Sequence, residues 1–473
     1  MKTTTTSQEV GEIRQHGMQH NKGHDCSEEQ ATPMKRGTKR VKRFSQTARY
    51  WIGIGLACLL WASGYQAEAA RLKFRGYAES RYSFLYGLDL GAICTEEQPE
   101  ALQALVKSLC DPHILINRVV PSFKIPFGRK VRVRVTANLT TTHFKLDREI
   151  TKIDDILVLQ RMYFDLRTKY VDFRLGLQAV QWGTAQLWQL TAPFNPQDAT
   201  DPNAEIPGVW GINAYVPYSD TGGFRAGVVA ARDFQSVLSY LRWKHTFGTT
   251  QVAATVLYDG PNKRMTFGTD IKGNLEVGFW IDAALYVPYE SEKPEDMWIS
   301  GAVAVGIDYS FKVLESLYFS LQYYYTYAGI TDPAKYPFRT EEGLNQLSSQ
   351  FTNPSQGASV TGIGISSGGF LGAHYLLFNA RLQILEELSV STLMLMNLID
   401  PSAMLGLTIA YTFFDNFTFT AGSYFFVGPE GSEFNVGRIK LPDAVSAALP
   451  GYPSDGIALS PRMVFFGWLR YSF

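Results

Sequence analysis

Charge is scarce in this chain. Its 44 basic and 44 acidic residues make up 19% of 473 positions and cancel to zero, against roughly a quarter in an ordinary soluble domain. A neutral, charge-poor chain has no electrostatic footprint for nucleic acid, and none is expected as a partner. Cysteine is scarce too, four residues in all. No zinc, calcium or phosphate-loop motif appears, so no metal or cofactor is expected. Long apolar runs are missing from the body of the chain. That excludes a bundle of membrane helices, each of which needs about 20 consecutive apolar residues.

One apolar stretch does exist, "YWIGIGLACLLWASGY" from Tyr50 to Tyr65. A basic run from Lys35 to Arg49 precedes it, and Ala67-Glu68-Ala69 follows with the small-x-small spacing of a cleavage site. This is the layout of a secretory signal; a single membrane anchor is the alternative. The expected organisation is a leader over 1–69, with Met34 a candidate initiator, and one domain over 70–473. Ten of the 44 basic and six of the 44 acidic residues fall in the leader, leaving 34 against 38. Two cysteines remain, Cys94 and Cys110. In an exported chain they predict one disulfide. Between them Ala101, Leu102, Leu105, Val106 and Leu109 recur at helical spacing, which predicts a short helix in the connection 85–113.

What fills the rest is alternation. "VRVRVTANL" puts Val131, Val133, Val135, Ala137 and Leu139 on one face and Arg132, Arg134, Thr136 and Asn138 on the other. Tyr170–Trp182 and Met297–Phe311 alternate in the same way. The period is two, and the runs are long for a globular sheet. A strand with one lipid face and one water face, closed into a barrel so that every backbone group is paired, accounts for both features. The fold class expected is an all-β transmembrane antiparallel barrel. Counting reversals gives about 18 strands, or 16 if 208–217 and 262–271 are not strands. Short connections such as "RTKY", "FGTT" and "LEEL" fall at one end, read as periplasmic. Long ones fall at the other: 85–113, 184–207, 329–368 and 429–460. Tyr323, Tyr324, Tyr325, Tyr327, Tyr424 and Trp468 sit near strand ends, where aromatic girdles are expected.

The final residues alternate back from Phe473 through Tyr471, Leu469, Gly467 and Phe465. This resembles the C-terminal signal of Gram-negative outer-membrane barrels. The resemblance implies outer-membrane lipid as the surroundings and the barrel-assembly machinery as a partner that reads Phe473, Tyr471 and Leu469. A second resemblance rests on "FRLGLQAVQWGTAQLWQLTAPFNPQDATDP". Arg174, Gly176, Gln178, Trp182, Gly183, Asn195, Pro196 and Asp198 match the R-x-G-R-Q-x-x-x-W-G and N-P-x-D pattern of an uncharacterised proteobacterial porin-like family, with Leu177 in place of its second Arg. The same residues read alone give a strand leaving the interface at Trp182-Gly183 and then turn chemistry. The loop after it either folds inward and narrows a pore or packs at the rim.

The polar faces of the first strands carry Arg75, Arg132, Arg134, Arg161, Arg167 and Arg174, with Asp165 and Asp172 among them. At the bilayer midplane on the lipid face such charges cost about 2–4 kcal/mol each, so they are assigned to the pore lining. Guanidinium forks take carboxylate or phosphate. Two readings stay open: an anion-preferring path, or Arg–acid ladders that brace the wall. "GISSG" (364–368) has the form G-x-S-x-G but sits in a Gly/Ser-rich stretch without the strand-before, helix-after context of a nucleophile elbow. No enzyme activity is expected. The functional expectation is a passive outer-membrane porin or selective channel for small solutes. A plugged structural or ligand-binding barrel, acting through its surface loops, is the alternative. No sequence feature fixes an oligomeric state.

Overall fold

Period-two alternation is realised as eighteen antiparallel strands in one sheet closed on itself. They are β1 (Lys73–Tyr86), β2 (His113–Phe127), β3 (Val131–Leu146), β4 (Glu149–Arg167), β5 (Asp172–Gln178), β6 (Val209–Pro217), β7 (Gly222–Ala230), β8 (Val237–Phe247) and β9 (Thr250–Asp259). The second half holds β10 (Arg264–Asn274), β11 (Gly278–Pro288), β12 (Ser300–Phe311), β13 (Ser316–Thr326), β14 (His374–Gln383), β15 (Leu388–Asn397), β16 (Ser402–Phe413), β17 (Phe417–Val427) and β18 (Met463–Ser472). The structure is a computed structural model. It describes residues 73–473 apart from 88–112, 128–129, 147–148, 189, 193, 195–205, 207, 231–236, 291–298, 341–369, 440–456 and 459–460. The leader, Cys94, Cys110, Asn195, Pro196, Asp198 and "GISSG" lie outside the described residues.

Each strand pairs with its neighbours in sequence, and β1 pairs with β18 from Tyr77↔Ser472 to Tyr86↔Met463. Closure removes both sheet edges. The seam is extended by one residue: the Gly76 and Phe473 backbones exchange hydrogen bonds at 2.7 and 2.9 Å. The Phe473 ring lies over Gly76, where a Cβ would meet it at 2.8 Å, and beside Phe74 at 5.2 Å between centroids. An ionic rung crosses the same seam, with Glu79 at 3.9 Å from both Arg118 of β2 and Arg470 of β18.

The faces separate as the alternation demands. Phe224, Leu241, Val256, Phe267 and Leu285 are exposed on the outer surface, while Ala253, Leu257, Asp270, Asp282 and Gln322 on the opposite parity are buried. All the connections expected to be tight lie at one end, here the turn end, and the long ones at the other, the loop end. Both weak segments are strands, β6 and β10.

Three local expectations need correcting. β4 starts at Glu149, ahead of the start at Ile156 that the alternation gives, because the charged stretch Glu149–Asp155 pairs with Thr141–Leu146 of β3 across one register shift, between Thr142 and His143. β5 stops at Gln178, four residues short of Trp182, because the chain there leaves the wall. The aromatic girdle is also smaller than expected. Tyr323, Tyr327 and Tyr471 are exposed on the outside, but Tyr324, Tyr424 and Trp468 are on the inner parity and buried.

Candidate functional site: the lumen

The chain after β5 turns into the barrel. Gly183 makes the turn with φ of 100°, a conformation that favours glycine. A Cβ there would also meet Asp282 Oδ2 at 2.7 Å. That same oxygen accepts hydrogen bonds from the backbone N–H of Thr184 (3.1 Å) and of Ala185 (3.5 Å). The next residues are held by side chains from the opposite wall. Gln322 Oε1 accepts from the Gln186 N–H at 3.0 Å and from Trp280 Nε1 at 2.7 Å. The Gln186 amide bonds Ser320 (3.0 Å) and accepts from Asn379 (2.7 Å). Further on, the Tyr286 hydroxyl donates to the Leu190 carbonyl at 3.1 Å.

Apolar contacts complete the seat of this segment. Trp188 stacks on Tyr324 with centroids 4.3 Å apart. Trp182 packs against Phe194 at 5.2 Å and Tyr240 at 4.6 Å, and its indole N–H donates to the Thr191 carbonyl at 3.1 Å. Residues 180–194 are thus anchored on β7–β9 through Val229, Leu238 and Leu257, and on β11–β14 through Ala284, Ala304 and Tyr375. Trp182 and Gly183 mark a turn into the lumen rather than a strand end at the lipid interface.

A second segment enters from the β17–β18 connection. Phe434 joins the same buried cluster as Trp188. Its neighbour Glu433 is 3% exposed. Its carboxylate accepts from the Leu371 N–H (2.9 Å), the Tyr375 hydroxyl (2.6 Å) and the Asn397 amide (2.7 Å). The Glu433 N–H donates to Asp400 at 2.6 Å. Burial pushes the Glu433 carboxyl above the usual carboxylate range, against the opposing pull of its three donors. Three loop-end connections are tied together at this one side chain.

The remaining wall carries the cations, and it divides in two. From β4 round to β10 three arginines are paired with acids, while Arg225 of β7, opposite Arg242, lies over the Tyr215 ring at 5.6 Å instead. Arg174 meets Asp165 at 2.6 and 3.4 Å and stacks on Tyr163 at 4.5 Å. Arg242 forks onto Asp270 at 2.6 and 2.9 Å, with side chains 6% and 1% exposed. Arg264 reaches Asp259 at 3.2 Å. From β1 to β4, toward the turn end, pairing stops. Lys73, Lys124 and Arg134 stand opposite one another on one rung across β1, β2 and β3. The next inward rung reads Arg75, Ser122, Thr136 and Arg161 across β1 to β4. Together they line a recess of about 370 Å³ that holds no carboxylate. Among the described residues, no ion pair reaches any of these five cations.

The residues expected to line the pore all share the inner parity. Arg75, Arg134 and Arg161 come together in the recess. Arg132 stands opposite Asp165, and Arg167 opposite Asp172 at the exposed turn end. Arg174 is taken by Asp165. Lys73 and Lys124 complete the recess; their inner parity was legible, but not that two further strands would bring them opposite Arg134. Gln322, Ser320 and Asn379 are the residues sequence reasoning missed. Alternation says which face a side chain takes, not that a segment from another part of the chain will cross the lumen to meet it.

No family model matches this chain, and no curated protein does. Solved structures do. The crystal structure of Pseudomonas aeruginosa OprD superposes with a TM-score of 0.50 at 8% identity, covering 86% of this chain and 97% of that one. Pseudomonas aeruginosa OccK8 (OprE) gives 0.50 at 10% identity, covering 85% and 98%. At such identities the likeness concerns architecture alone, and the architecture of this chain is that of a closed 18-strand antiparallel β-barrel.

Proposed function

We propose that the protein is an outer-membrane porin that lets small solutes diffuse passively and prefers anions. The observation that carries this reading is the acid-free basic recess on the β1–β4 wall. The two inward segments are seated on other strands, against β7–β9 and β11–β16. A wall of fixed positive charge beside a narrowed, low-dielectric lumen raises the local anion concentration. Bracing does not account for this wall, since a brace needs an acid and the acids nearby, Glu79 and Asp165, face other arginines.

The reading includes several features of the chain as a whole. Residues 1–69 act as a cleaved leader, Cys94 and Cys110 form a disulfide in the 85–113 connection, and the assembly machinery reads Phe473 with Tyr471 and Leu469. The test is the reversal potential of the purified protein in a planar bilayer under a KCl gradient. A potential of the sign set by chloride is expected, and a cation-selective or ohmically neutral pore refutes the anion preference. A second reading, a plugged barrel acting through its loops, draws on the density of bonds that hold 180–194 in place. It requires that no steady conductance be seen at all.

A further inference from the structure

We infer that the recess between β1 and β4 is a binding site for phosphate-type oxyanions, in which two or more negative charges are spread over three or more oxygens. The inference rests on the channel reading for how solute arrives, but the site itself is argued from its chemistry. Two neighbouring inner rungs build it. One presents Lys73, Lys124 and Arg134 side by side. The other presents Arg75 and Arg161 at its ends, with the Ser122 and Thr136 hydroxyls between them, 2.9 Å apart. Arg134 leans toward this pair, its Nε 3.4 Å from Ser122 Oγ.

Three observations make this a built site rather than a solvated patch. Like charges set directly opposite one another across strands oppose sheet formation, and here three occur in a row without a countercharge. The two acids within reach by sequence face other partners, Glu79 toward Arg118 and Arg470, and Asp165 toward Arg174. Arg161 also carries a buried Nε–H with no hydrogen-bond partner, an unpaired donor that a ligand oxygen would satisfy.

The donor set distinguishes among anions. A monocarboxylate offers two oxygens and one charge, enough for a single guanidinium fork. It leaves most of five cations uncompensated. A phosphate offers three or four oxygens and close to two charges near neutral pH, more acceptors and more charge for the three guanidinium groups, two ammonium groups and hydroxyl pair of the recess. Lysine serves such a ligand as a point charge, while arginine fixes its orientation.

The test uses the full chain in detergent micelles at pH 7.5 and constant ionic strength, titrated calorimetrically with inorganic phosphate and, separately, with acetate. Phosphate is expected to bind at least tenfold more tightly than acetate. In the Lys124→Gln/Arg134→Gln double variant that margin is expected to vanish, with heat-modifiable gel mobility unchanged. Arg75→Gln alone is expected to weaken phosphate at least threefold, and it serves if the double variant does not fold. In a bilayer, phosphate added from the turn end is expected to block chloride current in the wild type only. Equal affinity for phosphate and acetate overturns the site but leaves an anion-selective conductance standing. Tight phosphate binding by a protein that never conducts would keep the site and remove the channel reading.

Discussion

Two sectors of one wall use the same residue for opposite ends. Between β4 and β10, Arg174, Arg242 and Arg264 each face a carboxylate and most of their field is cancelled. Between β1 and β4, Lys73, Arg75, Lys124, Arg134 and Arg161 share a recess with no acid. The first arrangement has the form of a strut. In the Arg242–Asp270 pair the guanidinium and carboxylate are desolvated together, and breaking one strands the other. The second stores repulsion, which water and salt in the lumen relieve. Counting arginines on polar faces cannot separate the two; the partner on the adjacent strand does.

The difference can be broken by mutations of the same kind with opposite expected signs. The largest effect belongs to the struts. Asp270→Ala leaves Arg242, 5% exposed, as a buried unpaired charge, and is expected to cost about 3–5 kcal/mol. Urea unfolding followed by tryptophan fluorescence would show it, and an unchanged midpoint would mean the pair is solvated after all. Next comes Gly183→Ala, which forces a Cβ into a left-handed position against Asp282. A loss of roughly 1–3 kcal/mol is expected. Release of residues 180–194 from Asp282 should also raise single-channel conductance and its noise. A quiet channel of unaltered size would show that the segment does not limit the path.

In the recess the sign reverses. Lys124→Gln combined with Arg134→Gln removes two repelling charges and strands none. Stability should hold or rise by up to about 1 kcal/mol, while anion preference falls; any rise should fade in high salt. A stability loss as large as that of Asp270→Ala would mean that these cations have partners after all. The smallest effect expected is at Glu433. Its folded pKa is raised, so the fold binds this proton more tightly than the unfolded chain does. The sign follows from linkage: the cost of burying the charge is absent below the ordinary carboxylate pKa and grows as pH rises through the raised one. Protection of the β17–β18 connection from protease should therefore improve as pH falls from neutral. In Glu433→Gln it should be flat over the same range.

Much of the fold was legible in the sequence because the barrel's requirement is local. Each strand must show lipid one face and the lumen the other, so Val131–Leu139 announces its orientation without reference to any neighbour. The count of 18, the two ends and the alternation back from Phe473 follow from that rule. Where it fails, a second requirement has intervened. Glu149–Asp155 reads as a loop because it is charged, yet it pairs with β3. Tyr324, Tyr424 and Trp468 read as girdle residues because rings near strand ends favour the headgroup level, but each faces inward. Tyr324 packs under Trp188, and Tyr424 and Trp468 against Phe466. The site was half legible. Parity assigned its arginines to the lumen, while the sorting into struts and recess depends on register between strands. "TAQLWQ" names neither Gln322 nor Asn379 as the side chains that hold it.

A ring has no partial product. The seam of β1 and β18, with Phe473 seated on Gly76, joins the two ends of the barrel sequence. Its loop-closure entropy is the largest of any pairing in the ring, though it grows only logarithmically with length. Take one hairpin away and two raw edges meet the lipid, where each unpaired backbone group costs several kcal/mol. A repeat array can lose a terminal unit and remain an array; this sheet cannot lose one and remain closed. Its smallest cooperative unit is the whole circuit, so a defect in any strand is answered for at the seam.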